Sequence, residues 1–223
     1  MDEPKKLARA MKELDKDNGL NYVVITSVTR DDLPDGGSGH IARCVRAIKE
    51  IKKRNPELVI EALVPDFGGD ENAIRTMIDA GVDVLSHNIE TVGRLTPEIR
   101  DRRASYRQSL GVLKKINEIS CARVITKSGL MVGFGESEDE VGKAMKDLRE
   151  MGVEILTIGQ YLQPSKNARN IPVKEYVSPE TFSRYERLGY KLGFKFVASG
   201  PFVRSSYRAA EPFIFGILKS RLE

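Results

Sequence analysis

The sequence predicts an α/β fold of parallel strands and crossover helices, arranged as a partial (β/α) barrel. Short apolar runs alternate with amphipathic stretches along the chain, the beat of repeated β-α units with right-handed crossovers. The runs are near-continuously apolar and β-branched, as in Tyr22-Val23-Val24-Ile25, which suits strands buried on both faces. The stretch after the first strand, Thr26-Ser27-Val28-Thr29-Arg30-Asp31-Asp32-Leu33-Pro34-Asp35-Gly36-Gly37, holds no G-x-G-x-x-G turn. A doubly wound nucleotide-binding sheet would usually carry one there, so the barrel is the better reading.

Residues 3–17 read as a leading helix with no strand ahead of it, so the barrel is expected to be incomplete. The first strand spans 20–28. A helix follows over 38–54, with Ile41, Val45, Ile48 and Ile51 at helical spacing on one face. The second strand spans 58–64, and a helix over 70–80 ends at Gly81 in the C-cap position. The third strand is 82–86, and the helix 105–119 turns Leu110, Leu113 and Ile116 inward. The fourth strand lies within 124–132, and a helix over 137–151 is closed by Gly152. The fifth strand is 154–158, followed by a longer loop through Pro164 and Pro172. Ser178-Pro179 caps the next helix with proline at its first position. The sixth strand is 194–198, and a final helix starts near Arg208.

Length and composition bound the rest. At 223 residues the chain is most simply one domain, 1–223, long enough to bury a core without staples. No apolar run approaches the roughly 18 residues of a membrane span, and no membrane partner is expected. Met1-Asp2-Glu3-Pro4-Lys5-Lys6 lacks a signal-peptide core, making the cytoplasm the default compartment. The formal charge of +4 is a mild excess, spread as basic and acidic residues alternating along helices. Nucleic acid is therefore not an expected partner. The densest basic cluster, Arg100, Arg102, Arg103 and Arg107, reads as solvated surface or a docking patch. Cys44 and Cys121 have no Cys or His at metal-ligand spacing, and both read as small buried residues.

Barrel enzymes place reactive groups just past the C-terminal ends of their strands, and polar side chains gather there. The first strand end supplies Thr26, Ser27, Arg30, Asp31 and Asp32, and the second Asp66. The third supplies His87-Asn88-Ile89-Glu90-Thr91, and the fourth Lys127-Ser128 with Glu136 further on. The fifth gives Gln160, Tyr161, Gln163 and Ser165, and the last Ser199, Arg204, Ser205 and Ser206. Singly, each could be a solvated loop residue; together they indicate a pocket for a polar, multifunctional ligand. His87, Asn88 and Glu90 could serve a metal, an acid–base role or ribose hydroxyls, although one His beside one Glu is weak metal evidence. His40, on a helix, reads as surface. A desolvated Lys127 could form a Schiff base with a carbonyl substrate, which makes a lysine-dependent lyase an alternative. Gly129 and the Gly133-Phe134-Gly135-Glu136 turn allow close backbone approach to a ligand, or simply a tight strand-to-helix connection.

Taken in order, seven segments resemble lipoyl synthase, a radical S-adenosylmethionine (radical SAM) enzyme. They are Tyr22 to Val28 with Arg30-Asp31-Asp32-Leu33-Pro34-Asp35-Gly36-Gly37; Val64-Pro65-Asp66-Phe67; His87-Asn88-Ile89-Glu90-Thr91-Val92; and Thr126-Lys127-Ser128-Gly129-Leu130-Met131-Val132-Gly133 through Glu136. Then come Leu156-Thr157-Ile158-Gly159-Gln160-Tyr161-Leu162-Gln163-Pro164-Ser165, Val197-Ala198-Ser199-Gly200-Pro201 and Arg204-Ser205-Ser206-Tyr207. The resemblance implies a TIM-like partial barrel of radical SAM type, here lacking its first strand. It also implies two 4Fe–4S clusters and S-adenosylmethionine. The implied reaction inserts sulfur at C6 and C8 of an octanoyl group on a lipoyl-domain or glycine-cleavage H-type carrier protein. By the same resemblance, Ser206 ligates the auxiliary cluster, Arg204 and Ser205 help place it, and Asn88, Glu90 and Lys127 line the S-adenosylmethionine and substrate cavity.

This chain departs from the family pattern in its cysteines. The family's C-x-x-x-C-x-x-C and its second cysteine set have no counterpart here. The chain alone is therefore expected to be inactive and to expose an apolar edge. It would be a fragment of a lipoyl synthase whose cluster-binding N-terminal segment is absent from this sequence, one subunit of a split enzyme with a cysteine-bearing partner chain, or a cluster-free remnant that binds the carrier.

Overall fold

The computed structural model describes residues 2–15, 20–53, 55–165, 170–206, 214 and 216. The chain divides into two compact units, one of residues 1–86, 115–125 and 211–223, the other of residues 87–114 and 126–210.

In the first unit the elements run α1 (Glu3–Leu14), β1 (Tyr22–Thr26), α2 (Ser38–Lys52), β2 (Val59–Leu63), α3 (Glu71–Ala80) and β3 (Val84–Ser86). β1 pairs with β2 and β2 with β3, all parallel, so spatial order follows chain order. That is the succession of a barrel; a doubly wound sheet reverses its order part-way. The helical spacing in α2 does what it predicts: Ile41, Val45, Ile48 and Ile51 are all buried, each such side chain contributing about 1.5–3 kcal/mol. Asp83 ties the layers together, accepting from Ile60 N at 2.8 Å and from Lys52 Nζ at 2.7 Å. Asp70 caps α3, accepting from Asn72 N, and Gly81 ends it with a positive φ. β1 has a strand neighbour on one side among the described residues. A groove of about 720 Å³ passes it, lined by Leu7, Met11, Val23, Ile25 and Cys44 among others. Val28, just past the strand, is 75% exposed. The open apolar edge expected of an incomplete barrel is present.

The second unit holds the one-turn α4 (Thr96–Ile99), α6 (Glu138–Glu150), β5 (Ile155–Gln160), α7 (Pro179–Leu192) and β6 (Phe196–Gly200). α5 (Tyr106–Ser120) and β4 (Ile125–Val132) have residues in both units. β4, β5 and β6 are again parallel and in chain order. Alternation along these strands gives the sheet two unlike faces. Leu130, Val132, Leu156, Ile158 and Val197 share one core with Val141, Ala144, Met145 and Leu148 of α6 and Phe182 and Tyr185 of α7. The opposite face carries two registered rows of mostly small residues, Gly129–Thr157–Ala198 and Met131–Gly159–Gly200. With large side chains on one face and small ones on the other, helices fill the first and room is left over the second.

Ser137 starts α6 with a reciprocal capping box: its hydroxyl accepts from Glu140 N, and the Glu140 carboxylate accepts from Ser137 N at 2.9 Å. Ser137→Ala is expected to cost about 1 kcal/mol. That corresponds to a melting temperature lower by about 2–4 °C for a chain of this size, measurable by thermal denaturation.

Several boundaries differ from the sequence reading. α1 is described only to Leu14 and its cap Asp15, and residues 16 and 17 lie outside the described set, as does Arg54 beyond α2. α4 was not foreseen; Pro97 sits in its first turn. Cys44 is buried as expected, but Cys121 is exposed. It stands in the turn after α5 with φ 49°, where the chain reverses toward β4, and this turn keeps its side chain out of the core. The start of the final helix lies outside the described residues; Ile214 and Gly216 are helical and Ile214 is buried. No described helix is long and apolar enough to cross a membrane.

Candidate functional site

The small-residue face of the second unit opens into a crevice of about 80 Å³. It is lined by Asn88, Glu90, Gly129, Leu130, Met131, Thr157, Gly159, Val203, Arg204 and Ser205. Three segments build it. The first is the stretch 87–90, which runs beside β4 as a short parallel extension. His87 N donates to Lys127 O at 3.1 Å, Glu90 N to Gly129 O at 3.2 Å, and Met131 N returns a bond to Glu90 O at 2.9 Å. The second is the strand pair β4–β5. The third is the turn after β6, closed by Val203 N donating to Gly200 O at 3.1 Å.

Two glycines make the space. A Cβ on Gly129 would stand 2.4 Å from Thr157 Oγ1 and 3.1 Å from Asn88 Oδ1. A Cβ on Gly159 would stand 2.3 Å from the backbone oxygen of Val203. The first glycine lets Asn88 and Thr157 approach one another across β4; the second lets the turn bearing Arg204, Ser205 and Ser206 lie against β5. Arg204 Nη1 also donates to Val203 O at 2.8 Å.

The polar chemistry of the crevice is concentrated in Asn88 and Glu90. Asn88 is 8% exposed and its Oδ1 is buried with no hydrogen-bond partner. Its side chain is hydrogen-bonded to Glu90; because the carboxylate accepts, the amide nitrogen is the donor, and Oδ1 is left as a buried acceptor beside the cavity. An unmet acceptor in that position costs free energy that a ligand donor would recover. Burial pushes the Glu90 carboxyl above its ordinary value, opposed by the Asn88 hydrogen bond and by the positive charge of Arg100. Glu90 also has φ 65°, a left-handed conformation that disfavours a residue with a Cβ. Glu90 is thus a partly buried carboxylate with a strained backbone, beside the unpartnered amide oxygen of Asn88. Both groups suit hydroxyl or ammonium donors.

Of the four site residues expected from the sequence, Asn88 and Glu90 come together at the crevice. Lys127 is 1% exposed and shares a strand face with Gly129 by alternation, but it does not line the crevice. Ser206 is exposed, one residue past the lining Ser205; its neighbour Tyr207 lies outside the described residues. Among the described residues no group of three His, Cys, Asp or Glu side chains is placed to hold a metal ion. Several other strand-end polar residues prove structural. Asp66 accepts from Gly68 N at 3.0 Å, Glu136 from Phe134 N at 3.0 Å, and Ser199 donates to Phe182 O at 2.9 Å. Gln160 binds three backbone groups, donating to Tyr161 O and Glu175 O and accepting from Val177 N. In the first unit, Arg30 and Asp32 form an exposed bidentate pair with each other. His40, read as surface, is part-exposed and pairs with Glu3 at 2.7 Å.

The sequence reading missed Thr157 as part of the site and grouped Arg100 with the surface arginines. Thr157 had a signal: it is the one hydroxyl in the strand expected over 154–158, and it stands opposite Gly129 by register. Arg100 had none, because its partner Ser109 lies nine residues on, in the first turn of α5.

Comparison with known proteins supplies the remaining observations. Residues 1–148 match the Radical SAM superfamily model. The chain is 56% identical over 220 residues to the lipoyl synthase of Anaeromyxobacter dehalogenans (strain 2CP-C), covering 99% of this chain and 71% of that protein. It is 54% identical over 220 residues to the mitochondrial lipoyl synthase of Culex quinquefasciatus, covering 99% of this chain and 55% of that one. The chain thus spans from about half to 71% of the length of such relatives. Among solved structures, methylornithine synthase superposes with a TM-score of 0.61 at 14% identity, over 89% of this chain and 61% of that one. SuiB of Streptococcus suis superposes with a TM-score of 0.63 at 13% identity, over 88% of this chain and 43% of that one. At such identities the likeness is one of fold, and it agrees with a partial barrel.

Proposed function

Because this chain belongs to the radical SAM superfamily and, within it, to the lipoyl synthases, we propose that it forms the S-adenosylmethionine- and substrate-binding part of a lipoyl synthase. The reaction is sulfur insertion at C6 and C8 of an octanoyl group on a lipoyl-domain or glycine-cleavage H-type carrier protein. The family includes bacterial and mitochondrial members, so membership by itself fixes no compartment.

One structural observation carries the binding role: Asn88 Oδ1, buried without a partner at the wall of a crevice that a Cβ on Gly129 would fill. In this reading Asn88 Oδ1 and the Glu90 carboxylate accept from the hydroxyls of the nucleoside. Gly129 and Thr157 shape the floor under it, and Gly159 seats the turn of Arg204 and Ser205 over it. Lys127, deeper on the same face of β4, is assigned to the substrate side of the same space. When bound, S-adenosylmethionine supplies the radical that removes hydrogens from the acyl chain; the residues named here bind it, orient it and limit the space around it.

The clusters stand differently. Ser206, an exposed hydroxyl one residue past the lining Ser205, is the residue that the family resemblance assigns to the auxiliary cluster. The chain has two cysteines, and the described residues provide no ligand group for iron. The residues present do not fit a 4Fe–4S cluster. This observation favours a second reading, in which these residues bind nucleoside and carrier and perform the chemistry only together with a cysteine-bearing segment or partner chain outside these 223 residues. Anaerobic reconstitution of the 223-residue polypeptide is expected to leave it without a cluster; a stoichiometric cluster on the polypeptide alone would refute that.

S-adenosylhomocysteine, which needs no radical step, tests the binding role. Titration calorimetry is expected to show binding to the polypeptide, weakened about tenfold or more in Asn88→Ala, in line with losing one to two hydrogen bonds. Equal affinity of the two proteins would remove Asn88 from the site.

A further inference from the structure

Three residues of the second unit form a hydrogen-bonded line that ends at the wall of the crevice. Arg100 Nη1 lies 2.7 Å from Ser109 Oγ, and Ser109 Oγ lies 2.9 Å from His87 Nε2. Ser109 is 0% exposed and His87 3%. None of the three lines the crevice.

The donors and acceptors fix the direction of the line. A guanidinium only donates, so Ser109 Oγ accepts from Arg100, and the single hydroxyl proton is free to point at His87. His87 Nε2 is then the acceptor, and the ring carries its proton on Nδ1. An Nε2–H tautomer would aim two donors at one oxygen and strand the hydroxyl proton in a buried place, which costs a hydrogen bond. A doubly protonated ring would add a second cation facing the hydroxyl that Arg100 already holds. The ring so held belongs to the residue whose backbone N donates to Lys127 O at 3.1 Å, opening the extension that carries Asn88 and Glu90 along β4. Arg100 reaches the same wall by charge, since it is one of the two influences holding the Glu90 carboxyl down against burial.

We propose that Arg100 is a positioning residue for the Asn88–Glu90 wall. Acting through Ser109, it holds His87 as the neutral Nδ1–H tautomer and thereby sets the angle at which the Asn88 and Glu90 acceptors meet a ligand. The assignment rests on the reading of that wall as the ligand-contacting one.

The sequence makes the test clean, because it contains two histidines, His40 and His87. Imidazole nitrogen NMR of the 223-residue polypeptide gives two ring patterns, and His40→Gln identifies which is His87. The wild type is expected to show His87 protonated at Nδ1 and bare at Nε2. Ser109→Ala is expected to give a mixed or reversed tautomer and to shift the Asn88 side-chain amide signals. It should also weaken S-adenosylhomocysteine about 5–10-fold, the size of one lost hydrogen bond. Ser109→Thr, which keeps the hydroxyl, should restore all three readouts, and Arg100→Lys should retain the wild-type tautomer where Arg100→Met does not. A purely structural serine would alter melting temperature and leave the tautomer alone. An Nε2–H ring in the wild type overturns the proposal even if a variant fails to fold, and so does a tautomer that ignores Ser109→Ala. If the tautomer and the Asn88 signals move as expected but no nucleoside binds to the wild type, the positioning line stands and the nucleoside reading falls.

Discussion

Replacing Gly159 by alanine is expected to unseat the turn that carries Arg204, Ser205 and Ser206. The requirement for glycine here is steric. The added Cβ would lie 2.3 Å from the Val203 carbonyl oxygen and 3.3 Å from its carbonyl carbon. Both are backbone atoms, so no side-chain rotation relieves the clash. Either β5 shifts within the sheet, at about 1–3 kcal/mol for overpacking, or the turn lifts away from the strand. The second route is the cheaper, because among the described residues the turn is held by few bonds: Val203 N to Gly200 O at 3.1 Å and the Arg204 contacts. Hydrogen exchange at the Val203 amide distinguishes them. The expected result is loss of protection there with β4 and β6 unchanged, and an affinity for S-adenosylhomocysteine reduced by about tenfold or more, as for a loss above 1.4 kcal/mol. Retained protection together with retained affinity would show that the turn is not part of the binding surface.

Glu90→Gly is expected to raise stability while removing binding. Glycine adopts φ 65° without the cost a Cβ imposes, so the substitution recovers about 1 kcal/mol of backbone strain. It also deletes a carboxylate that burial disfavours. The linkage sign follows from the direction of its shift. The Glu90 carboxyl is raised in the fold above its ordinary 4.5, so the folded protein holds this proton more tightly than the unfolded chain. The stability this group contributes is fully present below its unfolded value and is lost as pH rises through the folded one. Glu90→Gln should therefore flatten that part of the profile and leave the protein more stable than wild type near neutrality, without relieving the strained φ. Urea unfolding of the three proteins in mild acid and at neutrality checks both effects. A wild type more stable at neutrality than Glu90→Gln would mean that the carboxylate is held by a stronger partner than Asn88 and Arg100 supply. Stability bought at the expense of binding is the usual signature of a functional rather than a packing residue.

Much of the fold was legible because its signals are local. Ser137 with Glu140, Ser178 before Pro179, and Gly81 after Ala80 announce helix ends through atoms within a few residues of one another. Ile41, Val45, Ile48 and Ile51 announce a buried helix face through spacing alone. The site was legible in part: polar residues crowd the strand ends, and among them Asn88 and Glu90 do meet at a crevice. The same rule overcounted. Gln160, Glu136, Asp66 and Ser199 occupy equivalent positions and bind their own backbone, a use that a sequence does not distinguish from ligand binding. Cys121 was misplaced for a related reason: the turn after α5 forms at φ 49°, and composition around it gives no hint of a left-handed residue.

By itself the sequence determined the succession of parallel β-α units, their caps, the core faces of the helices and membership of the lipoyl synthases, since each is written in contiguous residues. Tertiary structure alone decided which face of β4–β6 stays open, because that depends on the register that sets Gly129 beside Thr157 and Met131 beside Gly159. It also decided that Asn88 Oδ1 goes unpartnered and that Arg100 reaches His87 through Ser109. Hydrogen bonds and close approaches between residues distant in the chain exist only once the strands are paired, and these chemical features are made of such contacts.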